Sequence, residues 1–217
     1  MVISDLNPEY CSIRDGVVTV NGNILYADNH QEGDEPFIIK AYRSLGISYP
    51  KFFKMDSLSK TGFLAAELLL KGTATDNQEL KSNIAVILMT GNASLDTDLN
   101  FQSTIDNPAA YFPSPSIFVY TLPNIMLGEI CIRFKITGEG IVFIDREING
   151  TVLYEYIDTL FTDGITDSCL FGWVDYLNGK AEAFISVIHK DMITQSFNQH
   201  SFNSFIQRTF RTSNHQH

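Results

Sequence analysis

Residues 114–150 constrain the fold of this 217-residue chain more than any other stretch. Apolar residues recur at helical spacing over residues 122–134, with Pro123 suited to a first turn, and glycines then end the pattern. Residues 141–144 are all β-branched or aromatic, which is typical of a strand covered on both faces. A second amphipathic helix is predicted over residues 148–160, with Glu155 and Asp158 on a side that faces water. A sharp strand-to-helix junction therefore lies at residues 146–150.

The rest of the chain extends this alternation of helices and strands. Asp56 is placed to cap a helix over residues 57–71, which Gly72 ends. Turn signals within residues 10–26 predict a small meander that would supply the first strand of the sheet. Further strands are predicted from apolar runs at residues 83–90, 168–176 and 181–189. We therefore predict an α/β fold with a mixed, mostly parallel, five-stranded sheet flanked by helices.

Composition restricts the classes of function. The formal net charge of −10 disfavours nucleic-acid binding, which requires a clustered basic face. The three cysteines are odd in number and lie in apolar segments, so we expect reduced thiols in a cytoplasmic protein. No Cys/His spacing indicates zinc, and no apolar run approaches the roughly 20 residues that span a bilayer. Asp96 and Asp98 are interpreted as part of a helix end or a solvated face, and no metal or other cofactor is predicted.

A family resemblance is carried by the segment LPNIMLGEICIRFKITGEG, the short strand after it, and the five residues that end at Gly150. Together they resemble the N-terminal half of a β-ketoacyl synthase, a member of the thiolase-like superfamily. The order Met55-Asp56, then Ser57-x-x-Lys60, then two alanines is similar to an early helix of ketosynthases. The resemblance covers about residues 54–189 and implies the N-terminal half of the thiolase-like fold.

The junction departs from the family at one position. In ketosynthases this strand ends in an elbow that carries the nucleophilic cysteine at the start of a buried helix. Aligning Gly150 with the elbow glycine puts Glu147 where that cysteine would be. A carboxylate in the first turn of a helix is the simplest interpretation of Glu147. No partner motif surrounds any of the five histidines, so the resemblance implies a catalytically inactive homologue without the family's histidine pair.

Chain-length factors fit these departures. They are ketosynthase-like subunits that lack the nucleophile, pair with a catalytic ketosynthase, and help to shape the tunnel that receives the growing acyl chain. Short versions in aryl polyene and flexirubin-type pathways resemble this sequence. The resemblance implies a heterodimer with a full-length β-ketoacyl-ACP synthase in polyene or fatty-acyl biosynthesis. Acyl carrier protein is itself acidic, so this acidic chain is expected to contact it only indirectly, through the partner.

The resemblance also assigns residues to an interface and a tunnel. In the family, two N-terminal halves meet across a two-fold or pseudo-two-fold axis, and their edge strands continue one sheet. The interface strand would consist of Ile141, Val142, Phe143, Ile144 and Asp145. The tunnel floor would include residues near Ala93, Leu95, Leu99, Ile117 and Phe118. Bulky side chains there would stop chain growth by exclusion, although ordinary core packing explains each of these residues equally well.

Two other hypotheses remain open. In one, the chain is an acyltransferase or decarboxylase that uses Glu147. In the other, it is a homodimeric scaffold or binding protein that kept the fold and lost catalysis, and a homodimer is also possible for the isolated chain.

The chain is divided into a single thiolase-like domain at residues 1–190 and an amphipathic or partly disordered tail at residues 191–217. The tail has four apolar residues at helical spacing, Phe202, Phe205, Ile206 and Phe210. They predict a helix that packs on the body of the protein or on a partner.

Overall fold

The computed structural model describes residues 8–28, 35–192 and 198–211, which form a seven-stranded sheet between two layers of helices. The strands are β1 (Tyr10–Arg14), β2 (Val17–Val20), β3 (Asn23–Ala27), β4 (Ile84–Thr90), β5 (Gly140–Ile144), β6 (Ser168–Leu177) and β7 (Lys180–His189). The helices are α1 (Phe37–Ser44), α2 (Ser57–Leu70), α3 (Leu95–Ser103), α4 (Pro115–Phe118), α5 (Asn124–Phe134), α6 (Gly150–Thr162) and α7 (Gln199–Ile206). The predicted α/β class is therefore confirmed.

The strand order in the sheet is β3-β2-β1-β7-β6-β4-β5. Strand β4 pairs in parallel with β5 and β6, and all the other pairings are antiparallel. The mixed sheet is confirmed, but the predicted five strands and the mostly parallel pairing are wrong. All three strands of the N-terminal meander join the sheet, because β1 pairs with β7 over Tyr10↔Ser186 to Ile13↔Ala183. Short hairpin loops join β1 to β2, β2 to β3 and β6 to β7, so the strands of each of these pairs are antiparallel.

The first helical layer consists of α1, α2 and α5. Strand β4 alternates between the two faces of the sheet, with Val86 and Leu88 packed on this layer. Asp56 caps α2 as predicted, because its Oδ1 accepts the backbone N–H of Ser59 at 2.9 Å. Helix α2 is buried on most of its surface, which explains its apolar composition.

The second layer consists of α6 and α7, packed on the face that carries Ala85, Ile87 and Met89 of β4. Glu155 of α6 is exposed and Asp158 is half-buried, so the predicted water-facing side is confirmed. Helix α7 lies beside α6 and buries its apolar residues Phe202, Phe205 and Ile206. The boundary at residue 190 stays a prediction, and residues 193–197 and 212–217 of the tail lie outside the described residues.

Within the part of the chain that the structure describes, no single helix is long and apolar enough to cross a membrane. Two segments, Pro115–Thr121 and Asn124–Phe134, reach that length and apolarity only together, and they are bent by 99°.

Candidate functional site

Strand β5 forms one edge of the sheet, and β4 is its neighbour among the described strands. The backbone N–H of Asp145 donates to Thr90 O, and Glu139 O accepts from Val86 N. Backbone groups alternate along a strand, so those of Val142 and Ile144 point toward the open edge. The side chain of Ile144 is 64% exposed, and the strand carries no lysine or proline to block pairing. This edge is therefore open to a further strand.

The two faces of β5 differ in what covers them. Val142 packs against the first helical layer, and Ile141 and Phe143 pack against the second. All three side chains are half-buried, as is Asp145 just beyond the strand. The strand is thus built into the core through its side chains, and no other described strand pairs with its outer edge.

The elbow between β5 and α6 is organised by Asn149. Its Oδ1 accepts the backbone N–H of Val152 at 3.3 Å, and its Nδ2 donates to Asp145 Oδ2 at 3.2 Å. The N–H of Arg146 donates to Asp145 Oδ1 at 2.7 Å. Helix α6 begins at Gly150, two residues later than predicted, because the amide of Asn149 supplies the N-terminal cap.

Glu147 is exposed and lies before the cap residue of α6, so the interpretation of Glu147 as a carboxylate in the first turn of the helix is wrong. It lines a cavity of about 300 Å³ between the start of α6 and helix α7, together with Asn149, Thr151 and Asn203. Helix α7 approaches closely here, since a Cβ on Gly150 would lie 2.1 Å from Asn203 Oδ1. The residues that line this cavity offer carboxylate, amide and hydroxyl groups, but no thiol or imidazole.

The three cysteines of the chain lie away from the elbow. Cys11 and Cys169 are buried in the core, and Cys131 is half-buried on α5. Burial raises the pKa of Cys131 to about 11 and that of Cys169 to about 12. Burial also raises the pKa of Cys11. All three side chains are therefore protonated thiols at neutral pH, and none of them is an activated nucleophile.

The residues assigned to the tunnel lie on and around α3. Leu95, Leu99 and Phe118 are exposed, whereas Ala93 and Ile117 are half-buried. Helix α3 contacts α4, and the rings of Phe101 and Phe118 lie 5.3 Å apart between centroids. The structure therefore brings these residues into one region, and it presents three of them to the surface.

Exposed apolar side chains are concentrated between α3 and α5. We call this group the α3–α4 surface: Leu95, Leu99, Tyr111, Phe112, Phe118, Val119 and Leu122. The sequence analysis did not assign four of its members to any site, namely Tyr111, Phe112, Val119 and Leu122. Tyr111, Phe112 and Val119 lie in a proline-rich segment without periodicity, and Leu122 lies at the start of the predicted helix. The only signal was therefore a cluster of apolar residues around an irregular stretch. A cluster of this kind marks an interaction surface more often than a scattered set does.

A second cavity, of about 410 Å³, lies behind this surface and is lined by Ile117, Thr97, Lys60 and Tyr120 among others. The Tyr120 hydroxyl donates to Glu129 Oε1 at 3.0 Å, and Lys51 Nζ lies 2.6 Å from Glu129 Oε2. Burial, together with the Glu129 carboxylate, raises the pKa of Tyr120. These contacts attach the segment after α4 to α5.

No metal site is formed by the described residues, since they contain no group of three or more His, Cys, Asp and Glu side chains placed to hold an ion. Asp96 and Asp98 lie in the first turn of α3, where carboxylates are favoured by the helix dipole. Asp98 Oδ2 also lies 3.2 Å from Ser94 Oγ.

No family model and no curated protein sequence matches the chain. Solved structures do. The chain is similar to the ishigamide ketosynthase/chain length factor, with a TM-score of 0.62 and 11% identity over 85% of this chain and 61% of that one. The chain has a ketosynthase/chain length factor fold. The predicted resemblance to these proteins is confirmed at the level of the fold.

Two further structures share this ketosynthase-like fold. The ketosynthase ApeO in complex with its chain length factor ApeC from Xenorhabdus doucetiae matches with a TM-score of 0.53 and 9% identity, over 83% of this chain and 76% of that chain. The type II polyketide synthase complex AntDE:AntF contains an acyl-carrier protein with its ketosynthase bound to the hexaketide. It matches with a TM-score of 0.50 and 12% identity, over 67% of this chain and 50% of that chain. The chain spans 61% of the length of the ishigamide protein, and at these identities the likeness concerns the fold.

Proposed function

We propose that this chain is a non-catalytic, chain-length-factor-like subunit that pairs with an active β-ketoacyl synthase. The observation that carries the proposal is the open edge of β5, whose neighbour β4 leads through the turn at residues 91–94 into α3. An apolar edge strand without protective charges is unfavourable in isolation and is stabilised when a second strand pairs with it.

The occupant of this edge is inferred from the fold. Among the similar structures are a ketosynthase in complex with its chain length factor and a ketosynthase/chain length factor protein. A ketosynthase partner would extend the sheet beyond Ile144 and cover the α3–α4 surface. That surface contains aromatic and branched side chains, which are the residues that form the buried centre of protein interfaces.

The contribution to chain length would come from the tunnel residues. Leu95, Leu99 and Phe118 are exposed and would meet the partner directly. Ala93 and Ile117 are half-buried and would shape the floor from behind. A fixed volume limits the length of an acyl chain, because overfilling a packed tunnel costs more free energy than one more methylene contributes.

The chemistry would reside in the partner. The elbow carries Glu147 where a ketosynthase has its cysteine, and the three thiols of this chain lie elsewhere. Acyl carrier protein would dock on the partner, and the complex would act in polyene or fatty-acyl biosynthesis in the cytoplasm.

Purification of the tagged chain with a co-expressed β-ketoacyl synthase tests the proposal. We expect an equimolar complex in size-exclusion chromatography with light scattering. We also expect acyl groups on acyl carrier protein to be elongated with malonyl carrier protein only when the ketosynthase is present. A chain that stays monomeric or homodimeric at micromolar concentrations of both proteins would contradict it.

The Glu147→Gln variant separates this proposal from an enzyme that uses Glu147. The amide keeps the shape of the side chain and removes its charge, so we expect product formation by the complex to be unchanged. Turnover by the purified chain alone, lost in Glu147→Gln, would instead favour an acyltransferase or decarboxylase.

A further inference from the structure

The turn that leads from β4 into α3 is organised by one carboxylate. Asp175 lies on β6, and its Oδ1 accepts the backbone N–H groups of Gly91 at 3.2 Å and Asn92 at 2.8 Å. The same oxygen accepts the Thr90 hydroxyl at 3.0 Å, and Oδ2 accepts the side-chain amide of Asn92. Four donors from three consecutive residues thus converge on a single side chain that belongs to another strand.

The backbone of this turn depends on such support. Ala93 has a φ of 51°, a left-handed conformation that is unfavourable for a residue with a Cβ. Its N–H donates to the Thr90 hydroxyl at 3.2 Å, which is itself held by Asp175. Gly91 lies so close to Trp173 that a Cβ would come within 3.0 Å of Cη2. An unfavourable conformation of this kind persists when surrounding contacts determine it.

Helix α3 has little packing of its own to hold it in place. It has nine residues, and Thr97 is its buried member. A helix of this length is marginal in isolation. Two polar contacts anchor it in addition to the Asp175 turn: Thr97 Oγ1 donates to Asp56 Oδ2 at 2.8 Å, and Ser94 Oγ donates to Thr121 O at 2.8 Å. The N-terminal end of α3 is therefore held by polar contacts, and the packing of Phe101 on Phe118 of α4 adds to them further along the helix.

We propose that Asp175 is a positioning residue that sets the direction of α3, and with it the presentation of Leu95 and Leu99 to the partner. The presentation of Leu95 and Leu99 to a partner rests on the proposed function. Asp175 acts through the turn at residues 90–93, because its carboxylate is occupied by that turn. Asp175 lies opposite Glu182 of β7, just beyond the residues of β6 that pair with β4, and this place on a sheet strand gives the turn a rigid support.

Hydrogen exchange of the full-length chain tests the positioning step without any partner. In Asp175→Ala, we expect the amides of residues 91–99 to exchange about tenfold faster or more, while those of β6 and β7 keep their rates. Asp76→Ala is the matched control, because that carboxylate also accepts a backbone N–H, from Gly72 at 3.1 Å, but does not contact α3. It should leave residues 91–99 unchanged. Wild-type exchange rates over residues 91–99 in Asp175→Ala would overturn the proposal.

The conservative variant keeps the test decisive if Asp175→Ala does not fold. Asp175→Asn retains one acceptor oxygen and loses the carboxylate charge, so we expect a smaller acceleration at the same amides. Acceleration that is spread over the whole chain, instead of being confined to residues 91–99, would mean a general structural role and would overturn positioning.

The second measurement is the dissociation constant for a purified β-ketoacyl synthase. We expect about tenfold weaker binding for Asp175→Ala and wild-type binding for Asp76→Ala. Local acceleration with unchanged binding would overturn the link between α3 and the partner. If the wild-type chain binds no ketosynthase, the proposed function fails, whereas the exchange experiment still decides whether Asp175 positions α3.

Discussion

Asn203 of α7 lies directly against Gly150 at the start of α6, so closely that a Cβ on Gly150 would come within 2.1 Å of Asn203 Oδ1. Ile206 is also near, with its Cδ1 at 3.2 Å from that position. The side chains of Asn203 and Ile206 therefore fill the space that a Cβ on Gly150 would need. The contact joins the end of the described chain to the junction after β5.

This contact predicts the effect of a single methyl group. We expect Gly150→Ala to lower the free energy of unfolding by about 1–3 kcal/mol, because the side chains of Asn203 and Ile206 must leave their positions to make room. Chemical denaturation measures the change, and the double variant Gly150→Ala/Asn203→Ala should recover part of it. Equal losses in the single and the double variant would contradict direct contact between the two positions.

The open edge of β5 predicts an asymmetry between the two edges of the sheet. Ile144 on β5 is 64% exposed, and Ile24 on β3 at the opposite edge is 67% exposed. We expect Ile144→Lys to weaken association with the ketosynthase about tenfold or more, because it adds a charge to the pairing edge. Ile24→Lys is the matched control and should bind like the wild type. Isothermal titration calorimetry measures both, and equal affinities would argue against pairing through β5.

The tunnel assignment predicts a change in product length. Ile117 is half-buried and lines the cavity behind the α3–α4 surface. We expect Ile117→Trp in the complex to shorten the products without abolishing turnover, because the larger ring reduces the volume available to the acyl chain. Mass spectrometry of the products reports the distribution of lengths. The same change at Ile165, which is exposed in the loop before β6, serves as control, and unchanged product length in Ile117→Trp would count against the tunnel role.

The loop after α2 predicts a dependence of stability on pH. The pKa of Asp76 is lowered because its carboxylate accepts the backbone N–H of Gly72 and pairs with Arg133. A carboxylate whose pKa is lower in the folded state stabilises the fold above its unfolded pKa of about 3.9, and the contribution is lost as the pH falls through the folded value. We expect the free energy of unfolding of the wild type to exceed that of Asp76→Asn near neutral pH.

Denaturant titrations at several pH values check this prediction. The difference between wild type and Asp76→Asn should begin to shrink as the pH falls below about 4 and should vanish only below the lower pKa of the folded state, where Asp76 is protonated and uncharged like the amide. A constant difference across this range would mean that the charge of Asp76 contributes nothing.

Local patterns were sufficient to predict most of the elements. In the hairpin between β6 and β7, Asn178 and Gly179 both have the positive φ, 50° and 82°, that a two-residue turn needs, and this residue pair is itself a turn signal in the sequence. The cap of α2 was predicted from Asp56 for the same reason, since the hydrogen bond to Ser59 N spans three residues. Features of this kind depend on neighbouring residues and are visible in the sequence.

The pairing of distant strands could not be predicted in this way. Residues 10–26 indicated a meander, but nothing local showed that β1 would pair with β7, whose paired residues lie 170 to 176 positions later. The prediction of a mostly parallel sheet was wrong for this reason. An apolar run indicates that a strand is buried, and the identity of its neighbours depends on the packing of the whole chain.

The sequence by itself determined the order of helices and strands, the amphipathic side of α6, and the absence of a cysteine at the elbow, because residue type and periodicity decide these features. Only the tertiary structure decided that β5 is an open edge, that Asp175 holds a turn 84 residues earlier, and that Asn203 covers Gly150. These relationships join segments that are far apart in the sequence. They form because burial of apolar surface brings the segments together, and a local pattern does not specify which partner each segment meets.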